Sequence, residues 1–136
     1  MTIEGTCLCG SVRYQINGGL SDAGNCHCSM CRKAHGAAFA TYASVEPANF
    51  VWVSGEHLVS FYEASPGACR LFCSICGSTL GGTDGGRITS VTLGTIDGDP
   101  GTQPRSHIFV GSMAPWYEIS DDLPQFDEWP PGDEWA

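Results

Sequence analysis

The chain has 136 residues, 42% of them hydrophobic, which excludes a disordered segment and suggests one domain with a modest core. Six basic against 15 acidic residues leave a formal net charge of −9. Such a surface repels phosphate backbones and anionic membranes, so no nucleic acid and no membrane is expected as a partner.

With 18 Gly and 8 Pro, the chain favours short elements joined by turns. The opening Met1-Thr2-Ile3-Glu4-Gly5 has neither the basic stretch nor the apolar run of a secretory leader. No apolar run approaches the ~18 residues of a membrane span. A cytoplasmic location is therefore expected, where clustered cysteines serve metal binding or catalysis more often than disulfides.

Taken in chain order, Ser11 to Asn17 alternates, with Val12, Tyr14 and Ile16 on one face, and ends in the turn Asn17-Gly18-Gly19. Ser29 to His35 is the one helical stretch, with Ser29 as its expected N-cap. Phe39 to Val45, Phe50 to Ser54, Leu58 to Tyr62, Arg87 to Leu93 and Ser106 to Val110 read as strands. Between them, Glu46-Pro47, Ser54-Gly55, Ser65-Pro66-Gly67, Gly81-Gly82 and Asp97-Gly98-Asp99-Pro100-Gly101 carry turn chemistry. The segment Gly81 to Gly86 lacks the lysine and the following helix of a phosphate loop and reads as a turn. The fold class is mainly β. Residues 1–136 form a single domain on this reading, with 121–136 an acidic tail rich in Trp and Pro. That tail either docks on the core through Trp129 and Trp135 or frays, with docking the favoured reading.

Eight cysteines stand in three groups and one singleton. Cys7-Leu8-Cys9-Gly10 and Cys73-Ser74-Ile75-Cys76-Gly77 are tight turns, each offering two thiolates before a glycine. That glycine can take a left-handed conformation, which turns backbone N–H groups towards the sulfurs. A structural zinc needs four ligands, so the two pairs complement each other. Cys7, Cys9, Cys73 and Cys76 are expected to staple distant segments of a small domain.

Cys26-His27-Cys28-Ser29-Met30-Cys31 differs. Three thiolates on zinc leave one coordination position open to a ligand. Arg32 and Lys33 follow, and their charge would lower thiolate pKa values and attract an anionic ligand. A closed second zinc, completed by Cys69 or His27, is the alternative. In an extended segment His27 points away from the faces of Cys26 and Cys28, which makes it an awkward ligand. Cys69 reads as a small buried residue. His107 and His35 are further candidates to line the site, as are Arg70 and Arg105. Trp52, Phe61, Tyr62 and Trp116 read as core or as pocket walls.

Four blocks carry a family resemblance: Gly5-Thr-Cys7-Leu-Cys9-Gly10-Ser-Val-Arg-Tyr14, Asn25-Cys-His-Cys-Ser-Met-Cys-Arg-Lys33, Phe72-Cys-Ser-Ile-Cys-Gly-Ser78 and His107-Ile-Phe-Val-Gly-Ser-Met-Ala-Pro-Trp116. They resemble the glutathione-dependent formaldehyde-activating enzymes over residues 3 to 120. The resemblance implies the β-tent fold, an arrangement of curved antiparallel sheets. It implies two Zn²⁺ per chain: a structural one on Cys7, Cys9, Cys73 and Cys76, and a labile catalytic one on Cys26, Cys28 and Cys31. It also implies carbon–sulfur lyase chemistry on a small thiol such as glutathione and an aldehyde, formaldehyde in the namesake reaction. Arg32, Lys33 and His107 are then the candidate substrate-binding residues. The alternative function is a zinc-stapled protein-binding module on the same scaffold, without catalysis.

Overall fold

A computed structural model describes residues 1–132 and shows a mainly β fold of two open sheets. The strands are β1 (Thr2–Thr6), β2 (Arg13–Asn17), β3 (Ser21–Cys26), β4 (Ala40–Ser44), β5 (Phe50–Ser54), β6 (Val59–Ser65), β7 (Ala68–Cys73), β8 (Thr79–Asp84), β9 (Arg87–Thr92), β10 (Ile96–Asp97) and β11 (His107–Ile108). One sheet has the order β10-β1-β2-β5, and the other β11-β3-β4-β9-β8-β7-β6. All pairings are antiparallel except that of β11 with β3. The helix α1 spans Ser29–His35.

The alternation in β2 is realised. Val12, Tyr14 and Ile16 are fully buried while Arg13 and Asn17 face solvent. Tyr14 and Ile16 join Ile3, Val45 and Val91 in one cluster, against which Phe50, Trp52 and Ile88 pack. Burying each such aliphatic side chain stabilises by about 1.5–3 kcal/mol, which is why the pattern dictates the strand's orientation. A second cluster joins Val12, Leu71 and Leu80 with Cys7 and Cys73, so two sulfurs belong to the core itself.

Three expectations need correction. Gly81-Gly82 is not a turn but the middle of β8. A Cβ on Gly81 would collide with the Ser90 carbonyl oxygen on β9, so the glycine permits close strand approach rather than chain reversal. The reversal comes at Gly85-Gly86. The N-cap of α1 is Cys28, not Ser29: the Cys28 sulfur accepts from the Cys31 N–H at 3.3 Å. Phe61 and Tyr62 are not core. They are 65% and 67% exposed, because β6 is an edge strand. Trp116 is likewise exposed, and only Trp52 packs on the core.

The chain returns to β11 around Gln125 and pairs with His107 in the parallel sense. The His107 N–H donates to the Pro124 carbonyl and the Phe126 N–H to the His107 carbonyl, each at 2.9 Å. The Val110 N–H donates to Phe126 at 3.0 Å. Trp129 lies mostly exposed, its ring edge-on to Phe109 at 5.2 Å. Trp135 lies outside the described residues. Among the described residues no helix is long and apolar enough to cross a membrane.

Candidate metal centres

Two sulfur groups emerge from the fold. The turn from β1 to β2 carries Cys7 and Cys9, and the turn from β7 to β8 carries Cys73 and Cys76. These turns belong to different sheets, and their four sulfurs lie within 4.8 Å of one another. The Cys7–Cys9 separation is 3.6 Å and the Cys9–Cys73 separation 3.9 Å. Four zinc–sulfur bonds of about 2.3 Å at tetrahedral angles put sulfurs about 3.8 Å apart, so the arrangement suits a four-thiolate ion. Gly10 and Gly77 both have positive φ, 83° and 78°, as the two knuckles require. Their N–H groups close the turns onto the Cys7 and Cys73 carbonyls.

Further polar groups face these sulfurs. The Val12 N–H donates to the Cys7 sulfur at 3.3 Å, and the Ser78 hydroxyl lies 3.2 Å from the Cys76 sulfur. That hydroxyl also accepts from the Leu8 N–H at 2.8 Å, which ties the two turns together. Hydrogen bonds from Ser78 pull the Cys76 thiol down to about 5, and hydrogen bonds from Ser11 lower that of Cys9. Both shifts favour the thiolate, the form that binds metal.

The second group is local. Cys26 ends β3, Cys28 caps α1 and Cys31 sits in its first turn, with all three sulfurs within 4.8 Å. No fourth His, Cys, Asp or Glu joins them among the described residues. Cys69, on β7 opposite Glu63 and Thr83, is not among them. Arg70, one residue further on, reaches across and donates from Nη2 to the Cys31 sulfur at 3.5 Å. A hydrogen bond from Cys26 holds the Cys31 thiol low, with Arg70 adding to the effect, and the same bond pushes Cys26 up. The two thiols thus shift in opposite directions, with the guanidinium on the Cys31 side. His35, half-buried on α1, feels both Cys31 and Arg70, and its burial lowers its pKa. Either sulfur group could hold a metal ion.

The cationic candidates separate. Arg32 is half-buried on α1, and its buried Nε has no hydrogen-bond partner among the described residues. Lys33 is exposed. Arg105 lies beside Asp22, at the other end of β3 from Cys26. Arg70, one of four candidates in the sequence, is the one that contacts a sulfur.

His107 does not face open space. It is 1% exposed, with one ring nitrogen 2.8 Å from His27 Nε2 and the other 3.0 Å from an Asp121 carboxylate oxygen. His27 is fully buried and turned away from the flanking sulfurs, against Phe39 at 4.9 Å. Burial, with His107 beside it, pushes His27 down to about 4. Its Nδ1 has no hydrogen-bond partner among the described residues. Asp121 carried no signal in the sequence beyond its place in an acidic run.

Comparison with known proteins places this geometry in a family. Residues 2–112 match the sequence model of the glutathione-dependent formaldehyde-activating enzymes. A Halomonas elongata protein named "putative glutathione-dependent formaldehyde-activating enzyme" is 35% identical over 130 residues, covering 88% of this chain and 82% of that protein. An uncharacterised lyase of Schizosaccharomyces pombe is 31% identical over 77 residues, or 57% of this chain and 54% of that protein. The crystal structure of a Rhodobacter sphaeroides protein, a structural-genomics target, superimposes with a TM-score of 0.57 at 27% identity, covering 74% of this chain and 97% of that one. Matched over most of its length in sequence and in fold, the chain belongs to the glutathione-dependent formaldehyde-activating enzyme family.

Proposed function

We propose that this chain is a zinc-dependent carbon–sulfur lyase that joins a small thiol of the glutathione type to an aldehyde. In the forward sense a thiol and formaldehyde give an S-hydroxymethyl thioether. The thiol sulfur forms a bond to the aldehyde carbon, the carbonyl oxygen takes up a proton, and the thiol has lost one. Cys7, Cys9, Cys73 and Cys76 are the structural ligands, and Cys26, Cys28 and Cys31 hold a second, labile ion. Zinc on those three sulfurs would supply a Lewis-acid position at which an incoming thiol is favoured as thiolate.

The observation that carries this reading is a three-sulfur cluster with a guanidinium on one sulfur and, among the described residues, no fourth protein ligand beside it. The chain's own residues then bind and orient. Arg70 holds Cys31 as an acceptor, and α1 fixes Cys28 and Cys31 one turn apart. Arg32 and Lys33 supply positive charge where a carboxylate-bearing thiol would arrive, on a chain of net charge −9. Holding thiol and aldehyde together converts a bimolecular encounter into a local one.

Zinc stoichiometry with and without glutathione, read alongside adduct formation by NMR, tests the proposal. Two zincs per chain are expected, with one removed readily by a chelator and acceleration over the spontaneous reaction lost with it. A single zinc, with Cys26, Cys28 and Cys31 open to alkylation and no acceleration, would sink it and favour the protein-binding module.

A further inference from the structure

His27 stands between two sulfurs yet points away from both, because successive side chains of an extended segment alternate. Its backbone N–H donates to the Ile108 carbonyl at 2.9 Å, and its Nε2 lies 2.8 Å from His107 Nδ1. His107 Nε2 in turn lies 3.0 and 3.2 Å from the two carboxylate oxygens of Asp121. Asp121 is fixed by its own turn, accepting from the Leu123 N–H at 3.0 Å. The segment that follows is tied to His107 by two backbone hydrogen bonds. It lies beyond residues 2–112, which the family's sequence model matches.

The protons in this string follow from its end. A carboxylate only accepts, so a neutral His107 carries its proton on Nε2 and presents a bare Nδ1. His27 must then donate from Nε2, which leaves its Nδ1 as a buried acceptor without a partner among the described residues. Each ring is locked in tautomer and orientation by the next group along. Two apolar side chains would have filled the same volume without taking polar groups from water.

We propose that Asp121, His107 and His27 form a positioning string for the three-cysteine centre, in which the C-terminal segment sets the conformation of the backbone between Cys26 and Cys28. The inference rests on the reading of Cys26, Cys28 and Cys31 as a metal centre. His27 is a positioning residue and touches no ligand. Its side chain anchors the one residue separating two sulfurs, and a small rotation there moves both.

Addition of Co²⁺ to the metal-free full-length chain, followed by its thiolate charge-transfer absorption, tests this. The four-cysteine group serves as internal control and as the check on folding. The wild-type chain should bind cobalt in two phases. Asp121→Ala should leave the first phase unchanged and weaken the second about 10- to 100-fold, the usual effect of losing a residue that orients metal ligands. Asp121→Asn, whose side-chain oxygen still accepts from His107, should recover most of that affinity. Nitrogen-15 NMR of the imidazoles should show both histidines protonated on Nε2 in the wild type and a tautomer mixture in Asp121→Ala. Two cobalt phases with an unchanged second affinity in Asp121→Ala would overturn the string alone. One cobalt phase in the wild type would overturn the metal reading, and this inference with it.

Discussion

The two sulfur groups solve different problems with the same atom. Cys7 and Cys9 meet Cys73 and Cys76 across a separation of 64 residues, counted from Cys9 to Cys73, and join two sheets. Cys26, Cys28 and Cys31 gather within one strand end and one helical turn. A cross-link over a long loop removes much freedom from the unfolded chain, while one over six residues removes little. Cys7 and Cys73 also pack in the core, whereas Cys28 and Cys31 stay half-exposed. That contrast is the physical ground for proposing a stabilising role for the first group and a ligand-binding role for the second.

The largest effect should come from the buried end of the first group. Cys73→Ala removes a proposed metal ligand that is 0% exposed and belongs to the second core cluster. Loss of a long-range staple in a small domain costs about 2–5 kcal/mol. A fall in Tm of about 10 °C or more is expected in thermal unfolding of the metal-loaded chain. A fall of under about 2 °C would erase the distinction between the groups.

Cys28→Ser inverts that pattern. Serine is a preferred N-cap, so α1 keeps its cap and stability should change by under about 0.5 kcal/mol. Adduct formation should fall by more than the about 10- to 100-fold that loss of a supporting residue costs, because a proposed ligand is gone. Equal losses of stability and activity in this variant would mean that both groups are structural. Arg70→Met is the milder form of the same experiment. It removes the donor to Cys31 and should weaken metal at the second group about tenfold, with the first group unmoved. Equilibrium dialysis against a zinc buffer reads both sites in one measurement.

The division of the cysteines could be seen in the sequence because it is written in short spacings. A Cys-x-Cys-Gly, a Cys-x-x-Cys-Gly and a Cys-x-Cys-x-x-Cys each specify local geometry. The alternation in β2 was legible for the same reason. What escaped was long-range. Arg70 was one of four candidate cations, but its choice of a sulfur 39 residues away, like the pairing of Asp121 with a histidine 14 residues away, depends on tertiary contacts that no local pattern encodes. β3, with the sequence Ser-Asp-Ala-Gly-Asn-Cys, has no apolar alternation to announce it. It is a strand because β4 and β11 flank it. In β8 the paired glycines carry a turn signature, and the approach of β9 overrides it. The cap at Cys28 was hidden by a serine next door, a better capping residue that the backbone leaves one position too late.

The smallest effect lies away from both sulfur groups and calibrates the comparison. Tyr14 is 1% exposed, stacks on Phe50 at 5.1 Å and has its hydroxyl 2.6 Å from that of Thr95. Tyr14→Phe should cost about 1 kcal/mol at pH 7, the scale of one net hydrogen bond. Burial raises the Tyr14 phenol to about 12, against about 10 for an unfolded tyrosine. Between those values the unfolded chain has released the proton and the folded chain has kept it. Unfolding therefore becomes easier as pH rises, by about 1.4 kcal/mol per pH unit at most from this group. The contribution is fully present below pH 10 and fades towards 12. Phenylalanine has no proton to release, so urea unfolding at pH 7 and pH 11 should show a smaller loss in Tyr14→Phe than in the wild type, and the two curves should converge. Cobalt binding by both sulfur groups should be unchanged at pH 7. A shift in either phase would mean that the core and the centres are coupled, and that the contrast between a stabilising and a ligand-binding group is one of degree.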